Sequence, residues 1–187
     1  KGKKKGGVGN IERTGVKSVD GFFGKANKID RRLDKAQKAR KNGRTSIATA
    51  LGLEKTASLA EALQELQVKS NGNLKIAMTG GVPQLAPKGM LPADAATGLD
   101  AVNSAVTNYI GAIKDLKEVP AQAAALVKES RQMPDKLKKE FSNFDPLKIP
   151  AQIKAFSTLK NNLKVTASLP KRTKKVVKGL NQDLRLV

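Results

Sequence analysis

"VKSVDGFFGKANKIDRRLDKA", residues 16–36, decides the fold, because its apolar residues Val16, Val19, Phe23, Ala26, Ile29, Leu33 and Ala36 recur at alternating steps of three and four. That spacing gathers them on one face of a helix with 3.6 residues per turn. Lys28, Arg31, Arg32, Lys35 and Lys38 fall between them and turn mostly away from the seam. Asn42-Gly43 predicts the end of this helix, since both residues tolerate the left-handed conformation that closes helices.

The same rhythm returns in Leu99, Val102, Val106, Tyr109, Ile113 and Leu116 and predicts one amphipathic helix over 93–118. Between the two long helices the pattern is shorter. A helix is expected at 45–51 and another from Ser58, where "SLAE" sets Ser58 and Glu61 at the spacing of a capping box, with Leu59, Leu63 and Leu66 as its buried edge. "SNGN" at 70–73 stops it. The stretch "LKIAMTGGVPQLAPKGMLP", 74–92, carries three prolines and three glycines and reads as an extended connector or small hairpin.

Downstream, apolar residues precede proline at Leu91-Pro92, Val119-Pro120, Met133-Pro134, Ile149-Pro150 and Leu169-Pro170, and "VPAQAAAL" at 119–126 is echoed by "IPAQIKAF" at 149–156. Proline suits the first turn of a helix and biases its predecessor away from helical geometry, so each pair predicts a corner with its apolar residue dipping into the core. Asp145-Pro146 predicts another, with Asp145 as N-cap. The last two helices are then expected at 150–167, burying Ile153, Phe156, Leu159 and Leu163, and at 171–184, burying Val176 or Val177 with Leu180 and Leu184. The expected fold is an all-α helical bundle with proline-marked corners. Its parts are a flexible basic leader at 1–10, a helical module at 11–70, a connector at 71–91 and a helical bundle at 92–187.

Composition narrows the chemistry. The 187 residues contain no His and no Cys, which removes disulfides, imidazole or thiolate metal sites, Cys nucleophiles and the usual proton shuttle. No phosphate-binding glycine loop occurs, because Gly80-Gly81 runs into Val82-Pro83 and cannot open the required helix. Glu61 with Glu65 and Asp115 with Glu118 share helical faces among lysines, as solvated surface acids do. Asp20, Asp30 and Asp34 do not fit a calcium loop. No cofactor, metal or catalytic residue is expected, and the chain reads as a non-enzyme.

The formal charge of +20 is concentrated at the ends: +11 over 1–50, −1 over 51–100, +2 over 101–150 and +8 over 151–187. Such a field attracts polyanions. The candidate contacts are Lys1, Lys3, Lys4 and Lys5 of the leader, then Lys28, Arg31, Arg32, Lys35 and Lys38. At the other end they are Lys171, Arg172, Lys174, Lys175 and Lys178. Cations at the start of a final helix oppose its dipole, so helix stability does not account for the last group.

"SIATALGLEKTASLAEAL", 46–63, resembles the helix-turn-helix of bacterial repressors: Ala48 and Gly52 stand four apart, with Leu51 and Leu53 around the turn. The resemblance implies a helix starting near Ala57 that enters the major groove. It departs in the second helix, where Ser58 and Glu61 hold positions that should be apolar and Leu59 and Ala62 come one step late. An ordinary helical hairpin is the competing reading.

The functional expectation is a structural or accessory interaction protein of a multi-subunit assembly, docking through its basic ends on an acidic protein partner or an anionic membrane surface. Two alternatives stand beside it: a sequence-nonspecific protein that grips the nucleic-acid backbone, as in a packaged genome, and an envelope lipoprotein that binds lipid in a helical core. The chain opens on Lys1, which fits a processed product of a bacterial envelope, the extracellular space or a virion, with the cytoplasm still open.

Overall fold

The computed structural model describes residues 11–55, 57–142 and 146–184; the leader lysines, Phe144 and the expected N-cap Asp145 lie outside the described residues. Of the described residues 76% are helical, and the only strands among them form one antiparallel pair, so the protein is mostly all-α.

Helix α1, Lys17–Leu51, is started by its own side chains. The Asp20 carboxylate accepts from Thr14 N–H at 2.6 Å, the Thr14 hydroxyl at 2.8 Å and Gly15 N–H at 3.1 Å, while Asp20 N–H donates to Val16 C=O at 2.8 Å. An acid in the first turn also complements the helix dipole. The helix runs through Asn42-Gly43, contrary to the expected break there, and no separate helix forms at 45–51. The reason is tertiary: a Cβ on Gly43 would fall 2.6 Å from Tyr109 Oη, so this glycine admits a ring against the helix and stays helical. Termination is left to Gly52 at φ +73°, with Leu53 N–H bonded to Ala48 C=O at 2.8 Å.

Helix α2, Leu59–Lys69, has the expected capping box, with Ser58 N–H donating to Glu61 Oε2 at 2.6 Å and Glu61 N–H to Ser58 Oγ at 3.2 Å. Its buried edge is Leu59, Ala62 and Leu66, with Leu63 only half-buried. Strands β1, Leu74–Thr79, and β2, Val82–Pro87, pair from Thr79↔Val82 to Leu74↔Pro87 around Gly80-Gly81, both at positive φ as a two-residue hairpin turn requires. The 74–92 connector therefore contains a true hairpin. Pro83 and Pro87 share the parity of Leu85, whose N–H points off the outer edge to Asn103, so neither proline removes a ladder hydrogen bond.

Helices α3 (Ala93–Leu116), α4 (Val119–Ser130) and α5 (Met133–Glu140) follow, then a 3-10 turn, Pro146–Lys148, and α6, Ile149–Leu184. Pro92, Pro120, Pro134 and Pro150 stand at helix starts as expected, and Val119 and Met133 are fully buried at theirs. Leu169-Pro170 is not a corner: α6 passes through Pro170 as one helix in place of the two expected. Val165, Thr166, Leu169 and Thr173 are buried on either side of it, and the Thr173 hydroxyl donates to Leu169 C=O at 2.8 Å. Packing over these turns outweighs the missing proline N–H.

The described residues gather into two compact units. The first takes residues 11–33 with those described between Glu118 and Lys174; the second takes those described between Asp34 and Lys117 with residues 175–184. In the first, Val19, Phe23, Ala26 and Leu33 of α1 are buried, as are Met133 and Leu137 of α5 and Leu159 and Leu169 of α6. Asn162 clasps the incoming chain there, accepting from Glu12 N–H at 3.1 Å and donating to Glu12 C=O at 2.7 Å. In the second, Gly98 of α3 lets two leucines in, since a Cβ would meet Leu51 Cδ2 at 2.2 Å and Leu66 Cδ1 at 3.2 Å. Ile153, expected in the core, is exposed, as is Ile149 at its corner.

Candidate functional site

Between Pro146 and Gln182 there is no Asp or Glu, while nine Lys or Arg occur. Because α6 is one helix, its residues share a single register. Successive residues turn by about 100°, which brings Lys160, Lys164, Lys171, Lys174, Lys175 and Lys178 into an arc of about 120° on one side, over about 27 Å of axis. All six are exposed. The opposite side carries Ala155, Thr158, Asn162, Thr166, Thr173, Val176 and Leu180, all buried. The dipole argument for Lys171 to Lys178 does not apply in this frame, since they lie well inside a long helix and not in its first turn.

Helix α1 repeats the layout. Lys17, Lys28, Arg31, Arg32, Lys35 and Lys38 occupy one arc of about 120° opposite Ala26 and Leu33, with Gly21 and Gly24 between them facing open space. Arg32 Nη1 donates to Gln122 at 3.3 Å, and Lys35 approaches Asp115 at 3.9 Å in an exposed pair that is worth little in water. Of the sequence candidates that are described, Arg172 is drawn inward: it pairs with Asp30, and both side chains are largely covered. It braces α6 against α1 within the first unit. Lys1, Lys3, Lys4 and Lys5 lie outside the described residues.

The ionic feature that the sequence did not reveal is a three-residue cluster in the second unit. Asp183, 6% exposed, accepts from Arg40 at 2.7 and 2.9 Å and from Arg44 at 3.1 and 2.6 Å. Burial works to raise its pKa, but the hydrogen bonds and charges of the two guanidinium groups more than reverse this and hold it below the ordinary carboxylate value. The hydrogen bond to Asp183 likewise raises Arg40. Tyr109 donates to Arg40 C=O at 3.0 Å, and burial, with the Asp183 charge second, pushes its phenol up to about 12. The only signal in the sequence is that Asp183 is the sole acid after residue 150.

Two recesses belong to the first unit. One, of about 760 Å³, lies along the start of α1, with Arg13, Lys17, Asn27 and Arg31 beside Gly21 and Gly24; of its two acids, Glu12 and Asp20, the second is already committed to the turn before the helix. The other, an open groove of about 510 Å³, is apolar: Pro134, Phe156, Leu159, Leu163 and Ala167, with Lys160 and Lys164 at its edge. Among the described residues no group of three acids converges on a point where a metal ion could sit. No described helix is long and apolar enough to cross a membrane.

The segment that resembles a helix-turn-helix has a different geometry. Residues 52–58 separate α1 from α2, longer than the three- or four-residue turn of that motif, and the apolar edge of α2 is buried. No family pattern, curated protein or solved structure is similar to this chain.

Proposed function

We propose that this chain is a non-enzymatic docking protein, an accessory component of a larger assembly, which adheres to an extended anionic surface through the lysine face of α6 and the basic face of α1. The observation that carries this reading is the acid-free run from Pro146 to Gln182 with six exposed lysines on one side of one helix. Ordinary surface helices alternate signs of charge along their exposed faces, which lowers self-repulsion. A single-sign face raises it, and an anionic partner relieves it. Each lysine held close to an anionic bilayer contributes about 1 kcal/mol, so six of them hold the protein with useful strength without any pocket. An acidic protein surface would meet the same lysines; among the described residues no exposed aromatic accompanies them to stack on unpaired bases.

The test titrates the protein with three probes at rising salt: phosphatidylglycerol-containing vesicles, poly-glutamate and a 20-base-pair DNA duplex. Saturable binding to vesicles or poly-glutamate at about 50 mM NaCl, weakening with salt and lost in a K160E/K171E/K178E variant that keeps its helical circular dichroism, is the expected result. Tight binding to the duplex alone replaces this reading with a nucleic-acid one. No binding to any probe removes it.

A further inference from the structure

We propose that the first unit seats on an anionic phospholipid bilayer through the N-terminal half of α6, with aliphatic side chains entering the lipid beneath a ring of lysines. This deepens the docking reading above and rests on it. Helix α6 carries two apolar stripes. One faces the core. The other, Ile149, Ile153, Phe156, Leu163 and Ala167, lies within the same arc of about 120° as Lys160 and Lys164, on the side away from the core. Ile153 is 66% exposed, and Leu147, in the 3-10 turn that leads into the helix, is 91% exposed. The open groove of about 510 Å³ between Pro134 and Leu163 continues this apolar strip along the helix.

The neighbouring charges identify the surface that would cover it. Lys154, Lys160 and Lys164 are exposed, none has a carboxylate in salt-bridge reach among the described residues, and no acid occurs on α6 before Asp183. A phosphodiester backbone offers nothing for Ile153 and Leu147 to enter. A bilayer with anionic headgroups satisfies both halves: lysine stems extend along apolar surface and place their ammonium groups at the phosphates, while shorter aliphatic side chains pass below them. Either signal alone gives weak attachment, and together they give a stable one.

The experiment uses the full chain. Because it has no cysteine, Ile153→Cys offers a unique position for an environment-sensitive fluorophore. Vesicles with about 30% phosphatidylglycerol in phosphatidylcholine should raise and blue-shift the emission, and pure phosphatidylcholine should not. In co-sedimentation, L147Q/I153Q should lower vesicle affinity about tenfold or more while leaving poly-glutamate binding unchanged. K160Q/K164Q should weaken binding to both probes. Both positions of the first variant are on the surface, and circular dichroism checks its fold. If the L147Q/I153Q variant binds vesicles as the parent does, or the labelled residue stays in water, lipid entry is overturned and docking by charge alone survives. Binding to poly-glutamate or duplex DNA without vesicle binding also overturns it. Failure with every probe removes the docking reading itself.

Discussion

Two kinds of glycine sit in the helices, and a methyl group tells them apart. At Gly98 an added Cβ would lie 2.2 Å from Leu51 Cδ2, in a place where Leu51 and Leu66 are both buried and must shift against their neighbours to make room. Gly98→Ala should therefore destabilise by about 1–3 kcal/mol through overpacking. At Gly24 the same atom meets nothing within 4 Å on an exposed helix face, and Gly24→Ala should stabilise by about 0.5–1 kcal/mol through helix propensity. Urea unfolding of the pair checks both signs. Asp183 gives a prediction of another kind. Its folded pKa lies below the unfolded value of about 4, so its contribution is fully present above that pH and is lost as pH falls through the depressed value. Asp183→Asn should cost about 2 kcal/mol at pH 7. That is less than for a fully buried pair, because the two arginine side chains remain 31% and 36% exposed. The gap to the parent should close as pH drops below about 4; a gap that stays constant down to pH 2 would mean the carboxylate charge is not what holds Arg40 and Arg44.

At the scale of elements, the hairpin is braced by an amide of α3, beside the bond that Gln84 donates to the Thr107 hydroxyl at 3.2 Å. A two-stranded sheet is marginal in water, and β1–β2 gains support where Asn103 of α3 accepts from Leu85 N–H at 2.9 Å and donates to Leu85 C=O at 2.8 Å. The side chain takes the place of a third strand. Asn103→Ala should speed hydrogen exchange at the Leu85 amide and throughout 74–87 by an order of magnitude or more, while the buried turns of α3 keep their protection. Uniform loss of protection across α3 would contradict this. What the sequence revealed and what it concealed divide along the same line between local and distant causes. The Ser58–Glu61 box, the stop at "SNGN" and the Gly80-Gly81 turn are settled by neighbours a few residues away, and all three are where the pattern put them. Gly43 and Pro170 read locally as breaks, yet are overruled by Tyr109 and by the buried side chains of Val165, Thr166, Leu169 and Thr173 respectively. Ile153 was misplaced because α6 has two apolar stripes, and periodicity does not say which one faces a core. The lysines were visible as charge from the start, but their common arc exists only because 149–184 is one helix with one register.

For the molecule as a whole, charge sets a stability that depends on its surroundings. A formal +20 on 187 residues repels itself. Exposed pairs such as Lys35–Asp115, Lys69–Glu65 and Lys69–Asp94 offset this little, each being worth about 0–1 kcal/mol. The better-covered Arg40–Arg44–Asp183 and Arg172–Asp30 contacts are screened much less by salt than the exposed lysine faces are. Repulsion among those faces should therefore be what salt acts on first. Raising NaCl from about 10 to 300 mM shortens the Debye length from about 30 Å to under 8 Å, and it should raise the thermal midpoint by about 3–6 °C, equivalent to about 1–2 kcal/mol. Sulfate at equal ionic strength should do more, because a divalent anion bridges neighbouring lysines. In K171Q/K175Q/K178Q the low-salt midpoint should rise toward the high-salt one and its salt dependence should shrink. A parent midpoint that falls with salt would show that attractive pairs dominate, and the lysine face of α6 would then be balanced within the fold and not held open for an anionic surface.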